Sequence, residues 1–232
     1  MLKAVMFWFA VTLCLSVVSM GREVPNILLY GSSKMAAYET HEGSRENGQL
    51  PSKVCFTVEK ETQPRCFEAR ADNQVYFESP EVSFVAFPTH SASKIAIVSA
   101  RQNFDGSGTA TFLTALGSDP ATSAIVNLLP SIVLSRQGDH RIWFDERISR
   151  FPIITTGEIT AEPDSTVEGK HKYEVKSFVF DEPAQHYQLA DKYITRRAYD
   201  VFGSPRKFSV LVLEDAKIKG RLHKGPAKTS KQ

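Results

Sequence analysis

The chain has 232 residues, with 28 Lys and Arg against 26 Asp and Glu, 42% hydrophobic residues, 13 Gly, 12 Pro and 3 Cys. These values sit near the average of globular domains and exclude collagen-like, coiled-coil and wholly disordered chains. The length accommodates one large domain or two small ones, each able to bury a core.

Residues 1–21, MLKAVMFWFAVTLCLSVVSMG, are expected to form an export signal. Lys3 precedes an uncharged apolar run from Ala4 to Val18, and Ser19 and Gly21 stand at −3 and −1 for a cut before Arg22. A charged start, an apolar run and small residues at the cut are the three parts of a secretory signal. The competing reading is an uncleaved anchor, for which the run is short of the roughly 20 apolar residues a span requires. A lipoprotein reading at Cys14 is rejected because Leu13 is bulky where that processing needs a small residue. The expected destination is the periplasm or the extracellular space.

Past the signal, short β-type runs separated by turn residues dominate. They are Asn26–Tyr30, Val54–Val58, Gln74–Phe77, Ser83–Phe87, Lys94–Ser99, Thr109–Thr114, His140–Phe144, Ile153–Thr160, His171–Phe180 and Lys207–Leu213. The first lies within residues 22–53, a polar stretch that otherwise reads as a linker or long loop. Cys55 and Cys66 flank the KETQP turn, so strands on either side place them opposite each other. An even cysteine pair in an exported chain predicts a disulfide, worth about 3 kcal/mol in the chain-entropy model. With no neighbouring His in the sequence and no C-x-x-C spacing, neither a zinc site nor a redox motif is expected of them.

One helix is predicted from Ser118 or Asp119 as cap, through Pro120 in the first turn and Ala121–Leu129, to a stop at Pro130. In His171–Phe180, Tyr173 and Val175 face one way, Lys172, Glu174 and Lys176 the other, and a slip around Ser177 predicts a β-bulge. Residues 184–202 fit two periods. Tyr187, Ala190, Ile194 and Val201 share a helical face, whereas Tyr187, Leu189, Tyr193 and Thr195 share a strand face, and aromatic content favours a hairpin. In Lys207–Leu213, the alternation of Phe208, Val210 and Val212 reads as a strand.

Charge is segregated. Residues 216–232 carry six cations and no acid, whereas residues 22–215 hold 21 bases and 26 acids. A β-rich domain over 54–215 is thus followed by a basic, disordered tail, too polar to pack. Its Lys217, Lys219, Arg221 and Lys224 suit contact with an anionic surface, the alternative being a solvated terminus. Nucleic acid is not an expected partner of an exported acidic body.

Three constellations resemble chemical sites. Ser91-Ala-Ser-Lys94 has the spacing of serine acyl-enzymes, but that geometry needs a helix start, and a strand sends Ser91 and Lys94 to opposite faces. Asn103, Asp105, Ser107 and Gly108 copy the opening of a calcium loop, yet Thr114 stands where a bidentate Glu belongs, so a hairpin turn is expected. The charged and aromatic stretch 135–152 places Arg141, Trp143 and Asp145 on one strand face, with His140, Ile142 and Phe144 on the other. An exposed Trp between Arg and Asp is a candidate patch for a sugar or protein, against the alternative of a core tryptophan. The histidines at 41, 90, 140, 171, 186 and 223 form no metal-binding pair in sequence, and no phosphate loop or nucleophile elbow occurs.

These readings converge on a mainly β, antiparallel sandwich or open barrel with one or two short helices. The expected function is non-enzymatic binding of a protein or glycan, or an envelope-associated role, with no cofactor, metal or catalytic residue assigned. A secreted hydrolase built from distant residues is the runner-up, and assembly on an anionic surface through the basic tail is a third reading.

Overall fold

The computed structural model describes residues 26–46, 49–71, 74–88, 93–104, 108–135, 138–160, 170–200 and 209–224. Residues 1–21, expected to be an export signal, and Ser91 therefore lie outside the described residues. The chain first forms an antiparallel sheet (sheet I) from β1 (Ile27–Leu28), β2 (Met35–His41), β3 (Lys53–Val58) and β4 (Arg65–Glu68). A small pair follows, β5 (Arg70–Ala71) with β6 (Gln74–Val75). Sheet II contains β7 (Glu81–Ala86), β8 (Lys94–Phe104), β9 (Gly108–Ser118) and β10 (Ile125–Ser135) in consecutive order. Sheet III is built from β11 (Asp139–Asp145) and β12 (Ser149–Ile159), and, beyond β13 (Lys170–His171), from β14 (Tyr173–Asp181) and β15 (His186–Ile194). β13 pairs with β16 (Tyr199–Asp200), and two short helices, α1 (Val210–Leu213) and α2 (Asp215–Leu222), follow.

The fold is a β-sandwich with an added layer on each side. Sheet II is covered on both faces, which is why IAIV in β8 is an unbroken apolar run rather than an alternation. Ile95, Ile97, Leu113 and Ala115 meet Phe151, Ile154, Phe178 and Phe180 of sheet III. Ala96, Val98 and Leu116 point the other way, onto Val54, Phe56 and Val58 of sheet I. Tyr30, Phe87, Phe151, Phe180 and Tyr187 form an aromatic knot in the first of these cores, with neighbouring centroids 4.5–5.5 Å apart. The outer face of sheet III carries Trp143, Ile153, Tyr173 and Val175, which pack against Val210, Leu211 and Ile218 of the helices.

Most predicted strands are present, as are the Cys55–Cys66 hairpin and the β14–β15 hairpin over the ambiguous segment. The register shift falls between Ser177 and Phe178, where expected, with Ala190 the extra residue on the partner strand. β8 and β9 pair up to Phe104 and Gly108, and the expected turn at residues 105–107 lies outside the described residues.

Four expectations are corrected. The helix over 118–129 is the end of β9, a turn and the start of β10. Asp119 accepts hydrogen bonds from the amides of Ala121 and Thr122, so a residue type that caps helices closes a turn instead. Pro130 is tolerated because β10 is an edge strand and its register slips between Leu129 and Ile132. Residues 22–53 are not simply a linker, since β2 is hydrogen-bonded between β1 and β3 and buries Ala36. Of the strand expected over Lys207–Leu213, residues 207 and 208 lie outside the described residues and Val210–Leu213 is a helix. Val210 and Leu211 are adjacent yet both buried, which a helical turn on a sheet allows and an alternating strand does not. The described part of the tail, up to residue 224, is packed, because α2 buries Ile218 and its cations find acids at Asp191, Glu214 and Asp215. Among the described residues no helix is long and apolar enough to cross a membrane.

Candidate functional site

Strand alternation puts Arg141, Trp143 and Asp145 on one face of β11, as the sequence indicates. That face, however, lies beneath the C-terminal helices. Contacts run in order along the strand: Ser209 hydrogen-bonds Asp139, Arg141 meets Asp215, Lys219 approaches Trp143, and His223 reaches Asp145. Trp143 is only 7% exposed, as the core-tryptophan reading requires and against the exposed-patch reading. Its indole N–H donates to the Thr155 hydroxyl at 3.1 Å, and Thr155 lies 3.2 Å from the Ser177 hydroxyl. The Lys219 ammonium stands 5.5 Å from the indole centroid and the Arg141 guanidinium 6.0 Å. A ring covered in this way offers no face for stacking on a sugar.

The surrounding charges are arranged to hold the helix. Arg141 and Lys219 contact the two Asp215 oxygens at 2.5 and 2.8 Å. Asp145 receives the Arg147 guanidinium on both oxygens, at 3.1 and 3.0 Å, and this pulls its carboxyl down to about 2. Arg221 clamps Asp191 with two bonds of 2.7 Å. Glu214, 7% exposed, accepts the hydroxyls of Tyr193 (2.9 Å) and Tyr199 and pairs with Lys217 at 3.3 Å. Desolvation opposes its charge, but these donors outweigh it and leave the carboxyl below its usual range. Burial, followed by the Glu214 bond, pushes Tyr199 up to about 12 and Tyr193 higher still. Three of the four tail cations singled out in the sequence are thus neutralised on the protein itself, while Lys224 is exposed beyond the helix end.

Of the calcium-like residues, Asp105 and Ser107 lie outside the described residues, and Asn103 and Thr114 are engaged elsewhere. Asn103 bonds Glu78 and Thr109, and the Thr114 hydroxyl donates to the Leu129 carbonyl inside sheet II. Lys94 opens β8, as the strand reading of IAIVSA requires. A shallow pocket of about 270 Å³ opens at one end of sheet I beside Met35 and Thr57.

Sheet I brings together residues that the sequence did not connect. The register aligns Glu39, Cys55 and Cys66 in one row across β2, β3 and β4. All three point away from the Val54–Phe56–Val58 core face, and His41, two residues along β2, shares their side. The His41 Nε2 lies 3.0 Å from a Glu39 oxygen, and one ligand atom each from Glu39, His41 and Cys55 falls within 4.8 Å of the others. Local spacing hid this group, because Glu39 and His41 sit in the segment read as a linker. A strand pattern in YETH beside a cysteine strand was the available signal.

No family model and no curated protein matches the sequence. Part of the chain is similar to the crystal structure of CarG, with a TM-score of 0.36 and 16% identity over 51% of this chain and 84% of that one. A likeness at that level carries no argument about this protein.

Proposed function

We propose that this is an exported, non-enzymatic binding protein of the cell envelope or extracellular space, whose partner is a protein. The observation that carries the reading is the Cys55–Cys66 disulfide, a covalent link between adjacent strands of the kind that persists in oxidising compartments. It agrees with the signal-like residues 1–21. A binding role is supported by how the polar groups are used: the Glu214 and Asp215 carboxylates hold α2 on sheet III, and the Thr155 hydroxyl accepts the Trp143 indole N–H. A protein is favoured over a glycan because the indole of Trp143 is covered. Half-exposed apolar side chains stand on both edge strands of sheet III, Phe144 on β11 and Leu189 and Ile194 on β15. Edge strands of this kind are the usual places for another chain to pair.

Fractionation of cells expressing the whole chain tests the first half. The expected product starts at Arg22, lies outside the cytoplasm and is oxidised at Cys55 and Cys66; an uncleaved cytoplasmic chain with free thiols overturns it. For the second half, a photocrosslinker at Leu189 or Phe144 is expected to give a discrete protein adduct in cells. Absence of adducts at both positions overturns the proposed surface.

A further inference from the structure

We infer that the outer face of sheet I is a redox-gated site for a divalent cation of the zinc class, with Cys55, Cys66, His41 and Glu39 as ligands. It shares the Cys55–Cys66 disulfide with the export reading but needs no binding partner, and it arises from strand register rather than from any sequence motif. Three neighbouring strands contribute, and all four side chains lie on one face. The ligand atoms of Glu39, His41 and Cys55 lie within 4.8 Å of one another, and the Cys66 sulfur is one bond from that of Cys55. Tetrahedral zinc holds sulfur at about 2.3 Å and nitrogen or oxygen at about 2.0–2.2 Å, so its ligand atoms are separated by roughly 3.3–3.8 Å. The Glu39, His41 and Cys55 atoms close by shifts on the order of 1 Å, while the two sulfurs, 2.05 Å apart as a disulfide, part by about 1.7 Å on reduction. Two thiolates with one imidazole and one carboxylate form a soft, borderline set that suits zinc or cobalt rather than calcium or magnesium.

The disulfide is the gate. Sulfurs bonded to each other carry no thiolate charge and hold no zinc, so the oxidised protein retains only the His41–Glu39 pair. Reduction by a dithiol proceeds by exchange. One thiolate of the reductant attacks the sulfur of Cys66, an exposed residue, forming a mixed disulfide, and Cys55, 1% exposed, leaves as thiolate. The second thiolate of the reductant then displaces Cys66, and the reductant departs as a cyclic disulfide. Two electrons and two protons pass to the cysteines, and cation binding releases those two protons again. Half-exposed His41 and Glu39 leave the site open to an incoming ion.

The test is cobalt titration of the full chain, with and without a phosphine reductant that supplies no competing thiol. The reduced protein is expected to bind one Co²⁺ with a thiolate-to-metal charge-transfer band, and the oxidised protein to show none. His41→Ala is expected to weaken binding in the reduced state at least tenfold, with Glu39→Gln weakened in the same direction. Equal binding by oxidised and reduced protein overturns the inference, as does wild-type affinity in both variants. Circular dichroism without metal accompanies the titration. Should reduction unfold the chain, cobalt-dependent refolding that His41→Ala lacks supports the site, and cobalt binding without refolding overturns it.

Discussion

Replacing Glu214 by Ala tests whether the C-terminal helix is held by one buried carboxylate. The side chain accepts two tyrosine hydroxyls and an ammonium while almost wholly covered. Hydrogen bonds to a charged group contribute about 1.5–3 kcal/mol each. Tyr193 and Tyr199 are half-buried and regain water when the acceptor is removed, so the loss is expected at about 2–4 kcal/mol rather than the full sum. Trp143, the only tryptophan after residue 21, lies under Lys219 and reports the event: its emission should shift to the red as α2 lifts. The folded carboxyl is depressed, so its contribution is complete above the ordinary value of 4.5 and fades as pH falls through the folded value. Glu214→Gln should therefore flatten the acid limb of the stability curve. A loss below about 0.5 kcal/mol at neutral pH with unchanged emission would refute the reasoning and assign the docking to the apolar contacts of Val210, Leu211 and Ile218 and to the Asp215 and Arg221 ion pairs.

At the alkaline end the sign reverses, because Tyr193 and Tyr199 have raised folded values: their contribution is complete below pH 10 and disappears as pH rises through those values. Tyr199→Phe should move the alkaline unfolding midpoint, and an unmoved midpoint counts against the Glu214 node. Tyr187 is 1% exposed with a hydroxyl that finds no partner among the described residues, so Tyr187→Phe should stabilise by about 1 kcal/mol in denaturant titration. A marked loss would mean that the hydroxyl is bonded. Gly31 has φ +82°, and an added Cβ would fall 1.7 Å from the Ser118 carbonyl oxygen. Gly31→Ala should cost about 3 kcal/mol or more, and a change under about 1 kcal/mol would show that this turn relaxes freely. Replacing Cys55 and Cys66 together by Ala should remove about 3 kcal/mol in equilibrium unfolding. No change would indicate that the β3–β4 hairpin is already closed in the unfolded chain.

Alternation and turn chemistry are local, so the sequence alone determined the antiparallel β character, most strands, the slip at Ser177 and the facing of Cys55 and Cys66. It also determined that Arg141, Trp143 and Asp145 share a side of their strand. What covers that side was decided by tertiary structure, because the basic segment 216–224 looks unpackable until Asp191, Glu214 and Asp215 supply its counter-charges. The same holds for 118–129, where cap residues and prolines fit a helix in isolation but pairing with β9 outweighs them. His41 and Glu39 come beside Cys55 only through the register of three strands, a relation between segments that no single stretch of sequence contains.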